Sequence, residues 1–304
     1  MSTNQTILKN ATLITMDAQQ NQYMDGAILI EDDEIIRLGR TSDFSPDELN
    51  SPHAIDLSGR LIIPGLINTH VHTSQQLGRG LGDDVPLLTW LRERIWPYES
   101  NLAEADSEVS TLLLGLEQIR SGVTTIGESG GQHVSGMVKA IDKLGLRAAL
   151  SRSTMDEGEG LPRNWQNTTD HEIQAQIDLF DAYDGQADGR IRIWFSLRTI
   201  FNNSDLLIQK TRDVAQQYNT GIMMHVAEIR EENDYAMATR GAPTVTHLHK
   251  LGLLDHNLLA AHCVWLTDEE IALFAKHNVK VTHNPAAAMR VLGFASIPEM
   301  LERG

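Results

Sequence analysis

Residues 61–72 read LIIPGLINTHVH, an apolar run interrupted by Pro-Gly that ends in two histidines, His70 and His72, one residue apart. Side chains two residues apart on a strand point to the same face. If this run forms a strand, both imidazoles can reach one metal ion. The fold that contains this strand is predicted from the sequence that follows it.

From residue 60 onward, apolar strand candidates alternate with amphipathic helical stretches. In chain order the strand candidates are LIIPGLINTHVH, VTTIGES, RAALSRS, IRIWFSLRT, GIMMHVAE, LLAAHCVW and VKVTHNP. Nearly continuous apolar strands between helices are typical of a parallel sheet buried on both faces. We therefore predict an α/β fold, a distorted TIM (β/α)₈ barrel with only about seven β/α units in this sequence.

Residues 1–59 read as short strands without intervening helices. ATLITMD and GAILIEDDEIIRLG are rich in β-branched and aliphatic residues, and acidic turn residues split the second run. We predict a separate N-terminal β segment over residues 1–59 and the barrel over residues 60–304.

Composition excludes several classes of protein. The longest apolar runs are too short to span a bilayer, and the first ten residues, MSTNQTILKN, lack the features of a secretory signal. The single cysteine, Cys263, excludes a disulfide framework and a cysteine-built zinc site. A net charge of −16 repels a phosphate backbone. We predict a cytoplasmic protein that binds neither membrane nor nucleic acid.

A second His-x-His pair, His247 and His249, lies in APTVTHLHKLGLL, which has helical character. Residues two apart on a helix diverge by roughly 200° around its axis. This pair therefore cannot share an ion, and we expect it at the surface or in helix packing.

Two further histidines end strand candidates, His225 in MMHVAE and His262 in AAHCVW. In a barrel the C-terminal strand ends share one face, where catalytic groups gather. Taken singly, either residue could be a core histidine bonded to a backbone carbonyl. Zinc accepts imidazole nitrogen and, in catalytic sites, keeps one position for water. It lowers the pKa of that water from 15.7 to about 7.

Glu228 lies three residues after His225, just past the strand end. A carboxylate there suits proton transfer between water and substrate. The alternative is an acid at the N-terminus of the following helix, which the helix dipole also favours. Position along the chain leaves both readings open.

The segments GRLIIPGLINTHVHTSQQLGRGLGDDVPLLTWLRERIWPYES, MMHVAE and LLAAHCVWLTDEEIALFAKHNVKVTHNP resemble the amidohydrolase superfamily. They are most similar to its S-adenosylhomocysteine/methylthioadenosine deaminase and chlorohydrolase branch, over nearly the whole chain. The resemblance implies a distorted (β/α)₈ barrel with a small β-sandwich. Residues 1–59 would supply the N-terminal part of that sandwich, and a C-terminal segment the rest.

The same resemblance implies a single divalent ion, Zn²⁺ in the first place and Fe²⁺ as the alternative. Its ligands would be His70, His72 and His225, with Glu228 as proton shuttle and His262 in contact with the attacking water. The family's aspartate after the eighth strand has no counterpart before Gly304. We therefore expect the sequence to be a fragment of a longer protein, and a chain of these residues alone to be poorly stable and little active.

Four further residues are candidates for substrate binding by resemblance. WPYE nominates Glu99 for ribose hydroxyls, and ALSRST and LPRNW nominate Arg152 and Arg163 for a carboxylate tail, with ordinary surface arginines as the alternative. In WFSLRTIF, Arg198 replaces a family histidine. Because arginine cannot accept a hydrogen bond, it requires a carbonyl, an anion or an acceptor nitrogen.

We predict a metal-dependent hydrolytic deaminase of a small aminated N-heterocycle. An adenosine-type nucleoside, another purine, a pterin and an s-triazine remain open as substrates. The alternatives are a triazine-type hydrolase that displaces chloride or alkylamine, and a non-catalytic metal-binding homologue. Trp165, Trp194 and Trp265 would line an aromatic pocket or belong to the core. The resemblance also leaves a homo-oligomer open.

Overall fold

A computed structural model describes residues 5–82 and 85–304. The chain divides into two compact units, Met1–Leu66 and Ile67–Gly304. The predicted barrel began at residue 60, whereas the second unit begins at Ile67, inside the strand that carries His70.

The strands and helices alternate along most of the chain. The strands are β1 Gln5–Ile14, β2 Gln22–Glu31, β3 Glu34–Arg40, β4 Ala54–Asp56, β5 Leu61–Ile62, β6 Leu66–Val71, β7 Val123–Glu128, β8 Arg147–Leu150, β9 Ile191–Ile193, β10 Phe195–Leu197, β11 Ile222–Val226, β12 Leu258–His262 and β13 Lys280–Thr282. The α-helices are α1 Pro46–Leu49, α2 Leu87–Trp90, α3 Trp96–Glu99, α4 Glu104–Arg120, α5 Val134–Leu144, α6 Thr169–Tyr183, α7 Asp205–Gln217, α8 Arg230–Arg240, α9 Thr244–Lys250, α10 Asp268–His277, α11 Pro285–Val291 and α12 Ile297–Glu302.

The first unit is built around one sheet of order β3-β2-β1-β4, with β5 also paired to β1. β1, β2 and β3 are antiparallel, and the predicted acidic turn joins β2 to β3 at residues 32–33. β4 and β5 run parallel to β1. A small core of Ile7, Ala27, Leu29 and Phe44 lies against this sheet.

The second unit contains two four-stranded sheets, β6-β7-β8-β9 and β10-β11-β12-β13, in strict chain order. The paired strands for which a register is defined are parallel. Helices connect consecutive strands, as parallel pairing requires. All five residues of β11 are buried, as in a sheet covered on both faces. The predicted α/β barrel fold is confirmed.

Two of the predicted strands are each divided in two. Pro64 follows β5, and its missing N–H ends that strand before β6 begins. Trp194 separates β9 from β10, and its N–H donates to the Leu150 carbonyl in β8, 2.9 Å away. The next N–H, of Phe195, donates 2.9 Å to Gly221 on the opposite side, beside β11. The predicted strand IRIWFSLRT thereby links the two sheets into one seven-strand series.

Capping residues mark the start or the end of several helices. Ser204 accepts a hydrogen bond from the Leu207 N–H at the start of α7, and Thr267 caps α10 with Glu270 in a capping box. α5 ends at Gly145, whose φ of 74° favours glycine. No helix within residues 5–82 and 85–304 is long and apolar enough to cross a membrane.

Candidate active site

Three histidines converge at the C-terminal ends of two strands. His70 belongs to β6, His72 follows it directly, and His225 lies in β11; their ligand atoms are all within 4.8 Å of one another. The Nε2 atoms of His72 and His225 are 3.2 Å apart. Two nitrogens bound tetrahedrally at about 2.0 Å to one zinc ion are roughly 3.3 Å apart. The three imidazoles therefore fit one divalent ion.

The other ring nitrogen of each histidine faces a polar group of the surrounding strands. Nδ1 of His70 lies 2.6 Å from the Ser129 hydroxyl, and Nδ1 of His225 lies 3.1 Å from the Arg198 carbonyl. Nδ1 of His72 has no hydrogen-bond partner within the described residues and lies 3.8 Å from Oε1 of Glu128. A partner at Nδ1 leaves Nε2 available as the ligand.

Burial sets the protonation of this cluster. It lowers the pKa of His70, His72 and His225 well below the ordinary value of 6.5, and neighbouring positive charge, including that of Arg198, lowers it further. The imidazoles are therefore neutral near pH 7. Neutral imidazole is the form that binds a metal.

An acid and a fourth histidine lie next to the cluster. Oε1 of Glu228 is 3.4 Å from Nε2 of His262, and the His262 ring centre is 4.7 Å from that of His70. Burial raises the pKa of Glu228 to about 7, although the positive charge of Arg198 opposes this. Burial also lowers the pKa of His262 to about 4. Near neutral pH, Glu228 can therefore both accept and donate a proton.

Asn284 sets the tautomer of His262. Its Nδ2 lies 3.3 Å from the Thr282 carbonyl, which identifies this atom as the amide donor, and 3.3 Å from Nδ1 of His262. Nδ1 of His262 therefore accepts a hydrogen bond, and Nε2 carries the proton. The Glu228 carboxyl lies beside this nitrogen, with Oε1 3.4 Å away.

The strand ends turn sharply to bring these side chains together. Ala227, His262 and Cys263 have φ values of 49°, 73° and 51°, in the left-handed region that non-glycine residues rarely adopt. The Ala227 carbonyl accepts hydrogen bonds from the N–H groups of Val264 and Trp265, at 3.0 and 2.9 Å. The turn that precedes Glu228 is thus bonded to the turn that follows His262.

A cavity of about 1030 Å³ opens over the cluster. Its lining includes His70, His72, Arg198, His225, Glu228, His262 and, nearer the rim, Trp90, Trp265 and Arg290. Arg198 is buried, and within the described residues its guanidinium donates one hydrogen bond, 3.1 Å to the Gly130 carbonyl. It forms no ion pair with any carboxylate in the described part of the chain. Its remaining N–H groups are therefore available to a ligand.

Glu99 lies outside this lining and contributes to a second cavity of about 380 Å³. It is buried and accepts hydrogen bonds from the Ser74 hydroxyl at 2.9 Å and the Gln75 amide at 3.3 Å. Gln75 itself lines the main cavity. Glu99 is thus separated from the main cavity by one side chain.

The two arginines proposed for a carboxylate tail differ in their surroundings. Arg152 lines the second cavity, where Nη1 is 3.1 Å from a carboxylate oxygen of the buried Glu172. Arg163 is exposed and lines neither cavity. The substrate assignments of Glu99, Arg152 and Arg163 stay predictions.

The second histidine pair lies away from the cluster, on α9. His247 is buried, with Nε2 2.8 Å from the Asp205 carboxylate, and so takes part in helix packing. Of the three tryptophans, Trp265 lines the main cavity. Trp165 packs in an apolar cluster beside the second cavity, and Trp194 packs over Gly221.

Sequence reasoning missed four polar residues of this site: Glu128, Ser129, Glu232 and Asn284. Glu128 and Ser129 lie where the strand candidate VTTIGES ends, and Asn284 lies in the motif HNP. Their position at a strand end could therefore have identified these three as site residues. Glu232 lies within a helix, and nothing in the sequence distinguishes it from an acid exposed to solvent.

The profile of the amidohydrolase family matches residues 61–304. The 5'-deoxyadenosine deaminase of Methanobrevibacter smithii is 34% identical over 303 residues, which cover 99% of this chain and 66% of the relative. The 5-methylthioadenosine/S-adenosylhomocysteine deaminase of Desulfitobacterium hafniense is 34% identical over 299 residues, 98% of this chain and 67% of the relative. The chain thus spans about two thirds of the length of these relatives.

The fold is similar to that of a solved triazine hydrolase from Arthrobacter aurescens. The TM-score is 0.90, and the match covers 99% of this chain and 70% of that one. Sequence identity between the two is 23%, so the likeness concerns the fold alone.

Proposed function

Because this chain belongs to the amidohydrolase family, we propose that it is a metal-dependent hydrolytic deaminase of a small aminated N-heterocycle. The observation that carries the proposal is the pair Glu228 and His262, 3.4 Å apart, beside three convergent neutral histidines at the floor of a large cavity. The names of the deaminase relatives support the same reaction class. Cytoplasmic location and a homo-oligomer stay predictions.

His70, His72 and His225 would hold the ion, and we propose Zn²⁺ because imidazole donors suit it. When bound, the ion supplies a water of lowered pKa as the nucleophile at neutral pH. The buried neutral imidazoles need not lose a proton to bind it.

Glu228 moves the protons of the reaction. Its protonated form donates to the ring nitrogen beside the carbon that bears the amino group, which makes that carbon more electrophilic. The resulting carboxylate accepts one proton released by water and delivers it to the amine. As the carbon–nitrogen bond breaks, it takes the remaining proton of the new hydroxyl, which restores the carboxylic acid. Overall, a carbon–oxygen bond forms, the carbon–nitrogen bond breaks, and ammonia leaves with a ring carbonyl as the product.

His262 stabilises the oxygen that becomes negatively charged. Because Asn284 donates to Nδ1, the Nε2–H of His262 is a hydrogen-bond donor beside Glu228. Its pKa of about 4 keeps the ring neutral. A neutral donor there stabilises developing charge without first repelling the bound cation.

Arg198 is the residue we assign to recognition of the ring. It is buried beside the cluster with N–H groups available to the cavity, and it can only donate hydrogen bonds. The substrate should therefore present a carbonyl oxygen or an unprotonated ring nitrogen there. Adenosine-type nucleosides meet this requirement through a ring nitrogen. Oxidised purines, pterins and s-triazines also present such acceptors.

The test is ammonia release from a panel of heterocycles by the zinc-loaded product of the complete gene. The panel contains 5'-deoxyadenosine, 5-methylthioadenosine, S-adenosylhomocysteine, a pterin, an oxidised purine and an amino-s-triazine. We expect turnover of at least one member that is lost on chelation and restored by zinc. Full zinc occupancy without turnover of any member would refute the deaminase and favour a non-catalytic homologue.

A second candidate is hydrolytic displacement of chloride or alkylamine from a triazine. The availability of Arg198 to an acceptor nitrogen favours a triazine ring as much as a purine. The proton-accepting and proton-donating Glu228 favours deamination, because ammonia needs a proton to leave and chloride does not. Chloride release from a chlorotriazine without ammonia release from the panel would select this candidate.

A further inference from the structure

Glu232 is a buried carboxylate that does not line the main cavity. It lies in the first turn of α8, and its two oxygens accept hydrogen bonds from the N–H groups of Ala227, at 2.8 Å, and Glu228, at 3.0 Å. No arginine, lysine or histidine in the described ranges forms an ion pair with it. We propose that Glu232 is the positioning residue of the proton shuttle, holding residues 227–228 so that the Glu228 carboxyl faces His262.

The turn that Glu232 holds is conformationally unfavourable. Ala227 has a φ of 49°, a left-handed conformation that is unfavourable for a residue with a Cβ. Its N–H and that of Glu228 point away from the cavity and toward α8. Without an acceptor, these two buried amides would lack partners, and a relaxed turn would carry the Glu228 side chain out of line.

The contact differs from ordinary helix capping. In a capping box, the acid at the third helical position accepts from the N-cap backbone N–H, here that of Ile229. Glu232 occupies that third position but accepts from the two residues before Ile229. It therefore anchors the preceding turn, which is where the shuttle lies.

The neighbouring side chain of α8 supports the same arrangement. The Asn233 amide donates 2.7 Å to the Trp265 carbonyl, and its oxygen accepts from the Thr244 N–H at 3.1 Å. The first turn of α8 is thus bonded to the turn after Glu228's strand and to the turn after His262's strand. Burial and the nearby Glu228 carboxyl raise the pKa of Glu232 to about 8, whereas the two backbone hydrogen bonds oppose that rise.

The test compares Glu232→Gln and Glu232→Ala with Asp234→Asn, an exposed acid on the same helix. A glutamine retains one acceptor and places an NH₂ group against the second backbone N–H. We expect Glu232→Gln to lower kcat roughly 10- to 100-fold, as for a small misplacement of a reacting group, with KM little changed and zinc content unchanged. Asp234→Asn should match the wild type.

Two further measurements separate positioning from general destabilisation. Amide exchange of the peptide 225–231 should be faster in Glu232→Ala than in Asp234→Asn. In a Glu228→Gln background, Glu232→Gln should lower kcat no further, because both changes act through Glu228.

The inference rests on the proposed function, yet its failure can be recognised separately. Absence of turnover by the wild type on the whole panel would refute the function. Unchanged exchange in Glu232→Ala, unchanged kcat in Glu232→Gln, or additive losses in the double variant would each overturn the positioning role.

Discussion

Replacement of Glu228 by glutamine gives the sharpest test of the chemistry. The side chain is buried beside His262 and does not belong to the three-histidine set, so an isosteric amide should leave both the cavity and metal binding intact. The pKa of Glu228, about 7, means that near neutral pH similar fractions are protonated and ionised. The amide can neither release nor accept a proton, so both transfers of the reaction are lost.

General acid–base catalysis typically contributes 10²- to 10⁴-fold, and we expect Glu228→Gln to lower kcat for an amino-substituted ring by roughly that range. For a chloro-substituted ring of the same shape the loss should be smaller. Only protonation of the ring nitrogen is lost there, since chloride leaves without a proton. The difference between the two losses measures the share of the catalysis that serves the departing amine.

The assay follows ammonia and chloride release by the zinc-loaded variant, with zinc content measured by elemental analysis. Glu302→Gln, the same substitution at an exposed position of α12, is the matched control and should behave as wild type. A Glu228→Gln enzyme with kcat within about tenfold of the wild type would contradict the shuttle assignment, because general acid–base catalysis by Glu228 should contribute more than that. Loss of zinc from that variant would contradict the ligand assignment.

Three further predictions concern the metal. His70→Ala and His225→Ala should each lose bound zinc in elemental analysis, whereas His247→Ala should retain it, and zinc loss from His247→Ala would overturn the separation of the two histidine pairs. Glu128→Gln should weaken zinc binding about 10- to 100-fold in a chelator competition, because the carboxylate that faces Nδ1 of His72 no longer orients that ring; unchanged affinity would remove Glu128 from the site. Because burial holds the pKa of the ligand histidines well below 6.5 but raises that of Glu128 to about 7, zinc affinity should be nearly constant between pH 8 and 6.5 in Glu128→Gln, where the carboxyl beside His72 no longer titrates. A steep loss of affinity over that range in this variant would show that the imidazoles titrate as exposed groups.

The sequence was sufficient for features that depend on local periodicity. The alternation of buried strands with amphipathic helices predicted the α/β barrel, and the period of two on β6 predicted that His70 and His72 face one point. The same reasoning excluded His247 and His249 as a metal-binding pair, because side chains two residues apart on a helix point in different directions. Strand-end position predicted that His225 and Glu228 would lie on the same face of the barrel.

Features that depend on which strands and helices lie side by side came only from the tertiary structure. Trp194 divides one predicted strand because its backbone and that of Phe195 pair to opposite neighbours, β8 and the residue before β11. Glu99 and Arg152 lie at a second cavity, and no local pattern specifies the path of the long segments between strands that places them there.

What the sequence by itself determined is the set of reactive groups and the face of the barrel they share, because repeat periods fix side-chain direction within one element. What only the tertiary structure decided is their environment: the 3.4 Å approach of Glu228 to His262, the burial that shifts their pKa values in opposite directions, and the two hydrogen bonds from Glu232. Burial and hydrogen bonding between distant elements depend on packing in three dimensions, which no local pattern encodes.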